Sequence, residues 1–416
     1  MICQAVAMVA AASDAPVELR TARPDDLDGI AELLAARGEP ADGVDLRLVA
    51  GDPDEGLGSV FVAAVGSRVV ATATLLSETV RVGTASLPAG QVELVATDPE
   101  FEGRGLVRAL MGLAHDRSRA RGDLLQVMIG IPFFYRQFGY VYAMPIPLTR
   151  SVVAGADLGR ASDGLSVRVA TAADIPAMHE LQTRAQSSVD VSMPHSPGCW
   201  RWLTARDGSV QWVVETPDGR AVATARALPP DEGLVLGEVA GEPDGVRALL
   251  RHARELTDDV AVMERPGTPE GAVLDALLDP VDDVDAARHW YYVRIERVAP
   301  VLEALRPVLG RRWLDAGGAD REPHEMLISS YRSHVRFRLD GSGMGDVREG
   351  GPLQAPVSAG GSGVPPDVLG PLLVGPHGAV GLERRHGDVL LGRQRDLMAT
   401  LFPPSTSDLL TFYLPI

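Results

Sequence analysis

The chain has 416 residues, too many for one ordinary core, and domains of about 100–200 residues predict two or three units in series. Hydrophobic residues make up 45% of the chain and charged residues 23%, a balance that is typical of soluble globular proteins and excludes a disordered or fibrous one. The formal net charge of −17 disfavours nucleic acid and anionic lipid, so we expect neither a nucleic-acid nor a membrane partner; the charge would concentrate a cationic substrate, or serve solubility alone.

The N-terminal residues 1–15 are interpreted as a disordered extension, because the apolar start lacks the positively charged region of a signal peptide. No transmembrane stretch follows in the sequence. The two cysteines, Cys3 and Cys199, are far apart and have no metal-ligand or paired spacing, so we expect neither a disulfide framework nor a metal site. A reducing, cytoplasmic location fits this usage best.

A strand, a turn and a helix recur at two places in the chain. The first copy begins at Val17, and its helix has an apolar stripe at the helical period. The second copy begins at Leu165 and has the same order of strand, turn and amphipathic helix. A β-hairpin follows each helix, as the turns near Gly66 and Gly219 indicate. We therefore predict related domains at residues 16–150 and 163–297. The stripes are Leu27, Ile30, Leu33 and Leu34 in the first helix, and Ile175, Met178 and Leu181 in the second.

The order of predicted helices and strands changes after the second copy. A helix is predicted between Val301 and Leu309, a strand over Val335–Leu339, a helix from Asp367, and a strand-like segment from Asp388. Residues 298–416 therefore fit a third, smaller α+β domain that closes on an apolar C-terminus. The predicted fold class is α/β (α+β), with mixed central sheets in the two repeated domains.

One strand of the first copy leads into a glycine-containing turn. The segment Gln91–Thr97 places Val92, Leu94 and Ala96 on one face and Glu93, Val95 and Thr97 on the other, as expected of a half-buried strand. It continues through Gly103-Arg104-Gly105 into a helix. Such a helix N-terminus presents free backbone N–H groups that suit a pyrophosphate, and Arg104 and Arg108 can add charge-assisted contacts. A tight connection without any ligand explains the turn alone equally well.

A later segment makes the pattern more specific. A strand ends at Gly130, and after Ile131-Pro132 the sequence reads Phe-Phe-Tyr-Arg-Gln-Phe-Gly-Tyr up to Tyr140. Together with the strand and turn before it, this segment resembles the GNAT superfamily of N-acetyltransferases. The resemblance implies that acyl-CoA binds where two parallel strands splay apart. It places pantetheine against Val95, Ala96 and Thr97, the thioester beside Gly130 and Ile131, and pyrophosphate on Gly103, Arg104, Gly105, Leu106, Val107 and Arg108.

Tyr135 coincides with the tyrosine that acts in this family as general acid toward the departing CoA thiolate. A phenol stays protonated at neutral pH and can donate to a sulfur anion. Two positions depart from the family pattern: Glu102 stands where Arg or Gln is usual, and Val107 where Gly or Ala is usual. The second departure resembles the Eis-like (enhanced intracellular survival) subgroup, which joins two GNAT domains to a sterol-carrier-like domain and assembles as hexamers built from trimers.

The general base has two candidates. In the Eis-like subgroup the terminal carboxylate of the chain reaches the active site, which implies the carboxylate of Ile416 here. Glu93, on the same strand face as Val95 and Thr97, is the alternative. The resemblance thus implies an acetyl-CoA-dependent N-acetyltransferase, with no metal, that acts on amines of a small, cationic molecule through a ternary complex.

Two other functions stay open at this point. One is an N-acyltransferase of natural-product biosynthesis that uses another acyl-CoA, and the other is a non-catalytic acyl-CoA or lipid-binding protein. The second copy keeps a strand and a helix from Val235 onward but lacks the Gly-x-Gly turn, so we predict that it binds no CoA.

Overall fold

A computed structural model describes residues 8–9, 16–159, 164–206, 209–228, 233–281 and 289–412 of the chain. The helices are α1 Leu27–Arg37, α2 Pro40–Ala50, α3 Leu106–Arg121, α4 Ile175–Gln186, α5 Pro197–Ala205, α6 Pro243–Leu256, α7 Pro269–Asp275, α8 Val298–Ala304, α9 Arg306–Asp315, α10 Leu369–Val374, α11 Gly378–Arg385 and α12 Arg395–Leu401. None of the helices in this described part is long and apolar enough to cross a membrane.

The strands of the first repeat and its flanks are β1 Met8–Val9, β2 Val17–Thr21, β3 Val60–Val65, β4 Arg68–Val82, β5 Ala85–Thr97, β6 Leu125–Met128, β7 Val141–Pro145 and β8 Thr149–Ser151. Those of the second are β9 Ser166–Val169, β10 Val191–Met193, β11 Val210–Glu215, β12 Ala221–Leu228, β13 Leu234–Gly241, β14 Val260–Met263 and β15 Trp290–Arg294. The remaining strands are β16 His324–Ser329, β17 His334–Asp340, β18 Gly343–Met344, β19 Arg348–Gly350, β20 Ser362–Gly363 and β21 Ser407–Leu409.

These strands form three sheets, so the mixed α/β fold predicted from the sequence is confirmed. The first sheet has the order β1-β2-β3-β4-β5-β6-β15-β7, with β10 paired to β4 and β21 to β10. The second sheet runs β8-β14-β13-β12-β11-β9, and the third β18-β17-β16-β20 with β19 beside β17. Within the first sheet β2 to β5 are antiparallel neighbours, whereas β5 and β6 are parallel.

The two repeats share local structure as well as order. Arg20 donates two hydrogen bonds to the carboxylate of Asp26, which ties the first strand to the start of α1. Arg168 makes the same pair of bonds to Asp174 before α4. In each helix the apolar stripe faces inward, with Ile30, Leu33 and Leu34 buried in α1 and Met178 and Leu181 buried in α4.

The sheets do not follow the domain boundaries drawn from the sequence. β15 and β10, which come from residues 163–297, lie in the first sheet, and β8, which begins at Thr149 and crosses the boundary at residue 150, lies in the second. In β15 the side chains of Tyr291, Tyr292 and Val293 are buried. Periodicity shows that a segment is a strand but not which sheet it joins, because pairing is decided by long-range contacts.

Of the extension predicted at residues 1–15, the structure describes only Met8 and Val9, which pair with Glu18 and Val17; the other residues of the extension lie outside the described part of the chain. Two further expectations need correction. The single helix expected at 301–309 is divided between α8 and α9, where Pro307 removes a backbone donor. The strand-like segment at Asp388 contributes only an isolated bridge, between Leu390 and Gly363.

The third sheet shares a core with the first. Val80 and Leu87 from the hairpin of β4 and β5 belong to the same buried cluster as Trp313 and Phe337 of the C-terminal part. Each of these side chains is almost fully excluded from solvent. Because the core is continuous, the C-terminal part is packed firmly against the sheet that carries the candidate site.

Candidate active site

A cavity opens in the first sheet where β5 and β6 separate. The two strands pair in parallel from Ala89 opposite Leu125 to Gln91 opposite Val127; β6 then ends at Met128, while β5 continues to Thr97. The cavity has a volume of about 270 Å³. Its walls bring together residues singled out from the sequence with others that were not: Leu34, Arg37, Gly38, Asp42, Val92, Glu93, Leu94, Val95, Ala96, Met128, Ile129, Gly130, Ile131 and Tyr135.

The wall formed by β5 contains a β-bulge. Thr72 of β4 lies opposite Ala96 but Thr74 lies opposite Glu93, so β5 has one residue more than its partner. Leu94 takes up the extra residue with a φ of 52°, a left-handed conformation that a leucine adopts only when its surroundings enforce it. The bulge interrupts the ladder beside Val95, which leaves backbone groups of this stretch available to a ligand.

The turn after β5 has the geometry expected for an anion site. Gly103 and Gly105 have φ values of 72° and 78°, which favour glycine, and α3 begins at Leu106. The first N–H groups of α3 have no partner within the helix, and its dipole favours negative charge there. Arg108 lies in the first turn of α3 and donates a hydrogen bond of 2.6 Å to Oε1 of Gln137.

Three further side chains near the turn bear on how a ligand could be held there. Arg104 lies over the ring of Phe101 at 4.5 Å. The hydroxyl of Thr97, at the end of β5, is buried and has no hydrogen-bond partner among the described residues. Glu102, the acidic departure from the family pattern, forms an ion pair with Arg37 at the end of α1. This pairing offsets the negative charge that Glu102 would otherwise place beside a phosphate.

Tyr135 lies across the cleft from β5, in a 3-10 helix of residues Phe134–Phe138. Its side chain is 5% exposed and packs among aromatic rings, with centroid distances of 5.0 Å to Phe134 and 6.1 Å to Tyr292. Burial, together with the nearby carboxylate of Glu93, raises the pKa of Tyr135 to about 12. The phenol is therefore held in its protonated, donating form at any physiological pH.

Glu93 faces the cavity within a buried polar network. Burial raises its pKa to about 8, although Nε2 of Gln91 donates a hydrogen bond of 2.5 Å to it. Oε1 of Gln91 accepts a hydrogen bond of 3.0 Å from the hydroxyl of Tyr291. Glu78 on β4 is also buried, and burial followed by repulsion from Glu55 and Glu93 raises its pKa to about 8. Carboxyl groups are thus concentrated on this side of the cleft.

Sequence reasoning missed the contribution of β15. Tyr292 stacks on Tyr142 with a centroid distance of 4.3 Å, and its hydroxyl donates a 3.3 Å hydrogen bond to the carbonyl of Ile131. The run Trp290-Tyr291-Tyr292 is unusual in a chain with only 5% aromatic residues. That signal marks a buried strand but gives no reason to place it beside β6. Asp42, which lines the cavity from α2, had no distinguishing sequence feature.

The predicted site residues divide into three groups. Glu93, Val95, Ala96, Gly130, Ile131 and Tyr135 line one cavity, and residues 103–108 form the turn beyond the end of the same strand. The carboxylate of Ile416 lies outside the described residues, which end at Phe412. No group of three or more His, Cys, Asp or Glu side chains is placed to hold a metal ion within the part of the chain that the structure describes.

The site can be compared with known proteins. Residues 18–143 match the family model of the acetyltransferase (GNAT) domain. No curated protein matches the chain. The chain therefore carries a GNAT acetyltransferase domain, and this domain contains the cleft, the turn and Tyr135.

Solved structures share the fold over nearly the whole chain. A GCN5-related N-acetyltransferase from Kribbella flavida is 17% identical with a TM-score of 0.67, covering 95% of this chain and 98% of that one. One from Anabaena variabilis is 14% identical with a TM-score of 0.70, covering 95% and 100%. Eis1 from Mycobacterium abscessus is 18% identical with a TM-score of 0.59, covering 95% and 99%. At these identities the solved structures show the fold, and the acetyltransferase domain at residues 18–143 marks the chain as an acyltransferase.

Proposed function

We propose that this acyltransferase moves an acetyl group from acetyl-CoA to an amine of a small, cationic molecule, within a ternary complex. The observation that carries the proposal is the cavity at the divergence of β5 and β6, which brings Tyr135, Glu93 and the bulged strand to one point. Pantetheine would lie along Val95 to Thr97, and pyrophosphate would lie on the turn from Gly103 to Arg108. The thioester then falls beside Gly130.

The acceptor is assigned from the charge around the cavity. Glu93 and Asp42 line it, and after burial itself the charge of Asp42 helps to raise the pKa of Glu93, as Glu55 and Glu93 help to raise the pKa of the neighbouring Glu78. A bound cation relieves this mutual repulsion, because an opposite charge favours the ionised carboxylates. The chain's net charge of −17 acts in the same direction at longer range.

The reaction needs one acid and one base. The amine nitrogen attacks the thioester carbonyl, the C–S bond breaks, and Tyr135 protonates the departing sulfur. The proton lost by the amine goes to a carboxylate. With a pKa raised by burial to about 8, only a minority of Glu93 side chains are ionised and able to accept a proton at pH 7. We therefore assign the base to the terminal carboxylate of Ile416, and Glu93 is the alternative.

The position of Phe412 supports this assignment. Its side chain is 1% exposed and belongs to a buried cluster with Leu76 of β4, which pairs with Gln91. Gln91 in turn bonds to Glu93 at the cavity. The four residues after Phe412 can span at most about 14 Å when extended.

One feature of the surface favours an acyl group longer than acetyl as the alternative donor group. Ile131, which lines the cleft, and Phe133, two residues further along the chain, are 66% and 72% exposed, although both are large and apolar. A longer acyl chain would cover them, as in an N-acyltransferase of natural-product biosynthesis. We further propose that the C-terminal part is a sterol-carrier-like domain and that the protein is a cytoplasmic homo-oligomer, a hexamer or a trimer, on the basis of the Eis-like resemblance.

Thiol release tests the function directly. Acetyl-CoA is incubated with a panel of mono-, di- and polyamines, and the wild-type chain is compared with Tyr135→Phe. We expect turnover with the polycationic members and a decrease of about 10² to 10⁴-fold in kcat for Tyr135→Phe. Turnover at the background rate with every amine, by both proteins, would refute the proposal. Repeating the assay with octanoyl-CoA shows whether the enzyme prefers acetyl-CoA or a longer acyl-CoA as donor.

A further inference from the structure

The second sheet contains a cleft of the same design as the one in the first sheet. β13 and β14 pair in parallel from Leu234 opposite Val260 to Leu236 opposite Val262, and β13 then continues to Gly241. The register with β12 shifts beside Glu238, whose φ of 55° corresponds to the 52° of Leu94 in β5. Diverging parallel strands and a bulge with a left-handed residue are thus present twice in the chain.

This second cleft is filled by the protein itself. Arg265 follows Val262 by three residues, as Gly130 follows Val127 in the first sheet, and it is 2% exposed. Its Nη1 donates hydrogen bonds of 2.9 Å to the carbonyl of Val239 and 2.8 Å to Oε1 of Gln182. Nε2 of Gln182 donates to the carbonyl of Glu238 at 2.5 Å. Side chains therefore bond the bulged backbone that a pantetheine chain would contact in such a cleft.

The other side of the Arg265 guanidinium holds the C-terminal segment. Its Nε and Nη2 donate hydrogen bonds of 2.9 and 2.5 Å to the two carboxylate oxygens of Asp408, which lies on β21 and is 3% exposed. Nε2 of Gln186 donates to both the carbonyl and the carboxylate of Asp408 at 3.1 Å. β21 itself pairs in parallel with β10 over three residues.

A second buried arginine fixes the residues that follow. Arg226 on β12 is fully buried, and it donates hydrogen bonds of 2.9 Å to the carbonyl of Thr411 and 2.5 Å to the carbonyl of Phe412. The ring of Phe412 packs against Trp202 with a centroid distance of 5.4 Å. The chain is thereby held at residues 408, 411 and 412, immediately before its last four residues.

Buried ion pairs contribute little net stability, because desolvation offsets most of the attraction, but they penalise any arrangement that separates the charges. A shift of β21 by one residue along β10 would separate the Asp408 carboxylate from the Arg265 guanidinium inside the protein. The ion pair therefore determines the register of β21 more than it contributes to the free energy of unfolding. Register determines where the end of the chain emerges.

We propose that the cleft of the second sheet has been converted into an anchor for residues 407–412, and that Arg265 and Arg226 are positioning residues that direct the end of the chain into the first site. The catalytic part of this inference rests on the proposed function, since it assumes that the terminal carboxylate is the base. The anchoring part does not. The two parts can be tested separately in one set of variants.

The test uses the full chain with Arg265→Met/Asp408→Leu, which removes both charges together so that neither is left buried alone. Asp408→Asn is a milder second variant that keeps the shape of the side chain if the double variant does not fold. Arg168→Met is the matched control, because it breaks an arginine–carboxylate pair of the same repeat without touching the C-terminal segment. Each protein is measured by carboxypeptidase trimming followed by mass spectrometry, by kcat, and by KM for acetyl-CoA.

We expect the wild type and Arg168→Met to keep Phe412 after digestion, because trimming stops at this residue or before reaching it. In the anchor variants trimming should continue past Leu409. In the undigested anchor variants kcat should decrease at least tenfold, while KM for acetyl-CoA stays within twofold. Trimming that stops at the same residue in all proteins overturns the anchor, whatever kcat does. Release of the segment with wild-type kcat supports the anchor and instead refutes the terminal carboxylate as base.

Discussion

Gly130 lies so close to Tyr135 that a Cβ at this position would be 2.4 Å from Cε2 of the tyrosine ring. Real Cβ atoms do not approach another atom so closely, so Gly130→Ala must displace the phenol from the cleft. A displacement of about 1 Å in a catalytic group can cost about 10²-fold in rate. We expect Gly130→Ala to lower kcat by about 10- to 100-fold in steady-state assays.

Gly112→Ala is the control for that change. Gly112 is an exposed residue of α3, and a Cβ there meets no atom within 4 Å. It should leave kcat unchanged and slightly stabilise the helix. Wild-type kcat in Gly130→Ala would show that the ring of Tyr135 can move without loss of its role as acid.

Glu93→Gln distinguishes substrate binding from base catalysis. As pH rises through about 8, Glu93 loses its proton and gains a negative charge that attracts a cationic amine. If Glu93 only binds, Glu93→Gln raises KM for the amine several-fold at pH 9 and little at pH 6.5, and kcat changes less than threefold. KM and kcat are measured across this range with saturating acetyl-CoA. A decrease of about 10² in kcat would instead assign the base to Glu93.

Glu78→Gln should stabilise the protein at alkaline pH. Burial raises the pKa of Glu78 from its ordinary 4.5 to about 8, so the folded state holds a proton that the unfolded state releases. The associated stability is present in full below pH 4.5 and is lost as pH rises through 8. We expect the variant to gain about 1–2 kcal/mol at pH 8.5, because the buried glutamine amide offsets part of the larger gain implied by the shift.

Thermal unfolding at pH 5 and pH 8.5 checks this prediction. At pH 5 the wild type and Glu78→Gln should unfold within about 1 °C of each other, while at pH 8.5 the variant should unfold several degrees higher. Glu100→Gln is a suitable control, since Glu100 is exposed at the surface. An equal gain at both pH values would exclude ionisation of Glu78 as its cause.

Much of the first site could be predicted from the sequence because its parts are contiguous. The strand from Gln91, the turn at Gly103 and the segment around Tyr135 lie within about fifty residues, and each has a local physical signature. Residues 92–97 alternate between buried and half-buried as predicted, but the predicted faces are wrong. Val92 belongs to the buried cluster with α3, whereas Leu94 and Ala96 belong to the cluster with α1. Glu93 lies opposite Thr74 and Thr97 opposite Ala71, so Glu93 does not share a strand face with Thr97. What the alternation did not show is the bulge at Leu94, because a left-handed leucine follows from the pairing with β4 rather than from the residue itself.

The remainder depends on contacts that no local pattern encodes. β15 joins the first sheet from the far side of the second repeat, and β21 joins it through β10. Arg265 and Asp408 are 143 positions apart in the sequence, and singly each is an ordinary charged residue. Only the folded structure brings them together in a cleft whose counterpart in the first sheet is open.

Gly105→Ala tests the turn that is proposed to hold pyrophosphate. Gly105 has a φ of 78°, and a side chain in this left-handed region costs about 1–2 kcal/mol. A Cβ meets no atom within 4 Å there, so the fold should persist while the N–H groups at the start of α3 are displaced. We expect KM for acetyl-CoA to rise about tenfold with little change in kcat. Unchanged KM would remove the turn from the cofactor site.

The last prediction concerns the end of the chain. Deleting Leu414–Ile416 moves the terminal carboxylate back by three residues but leaves intact the hydrogen bonds from Arg226 to Thr411 and Phe412. If that carboxylate is the base, kcat should decrease by about 10² or more at pH 7, whereas the dissociation constant of acetyl-CoA, measured by calorimetry, should be unchanged. A chain with Ser-Gly added after Ile416 keeps every native side chain and displaces only the charge, so it should lose activity as well. Wild-type turnover in both proteins would mean that the base is Glu93 or water and not the terminal carboxylate. The pH profile of Glu93→Gln then decides between those two.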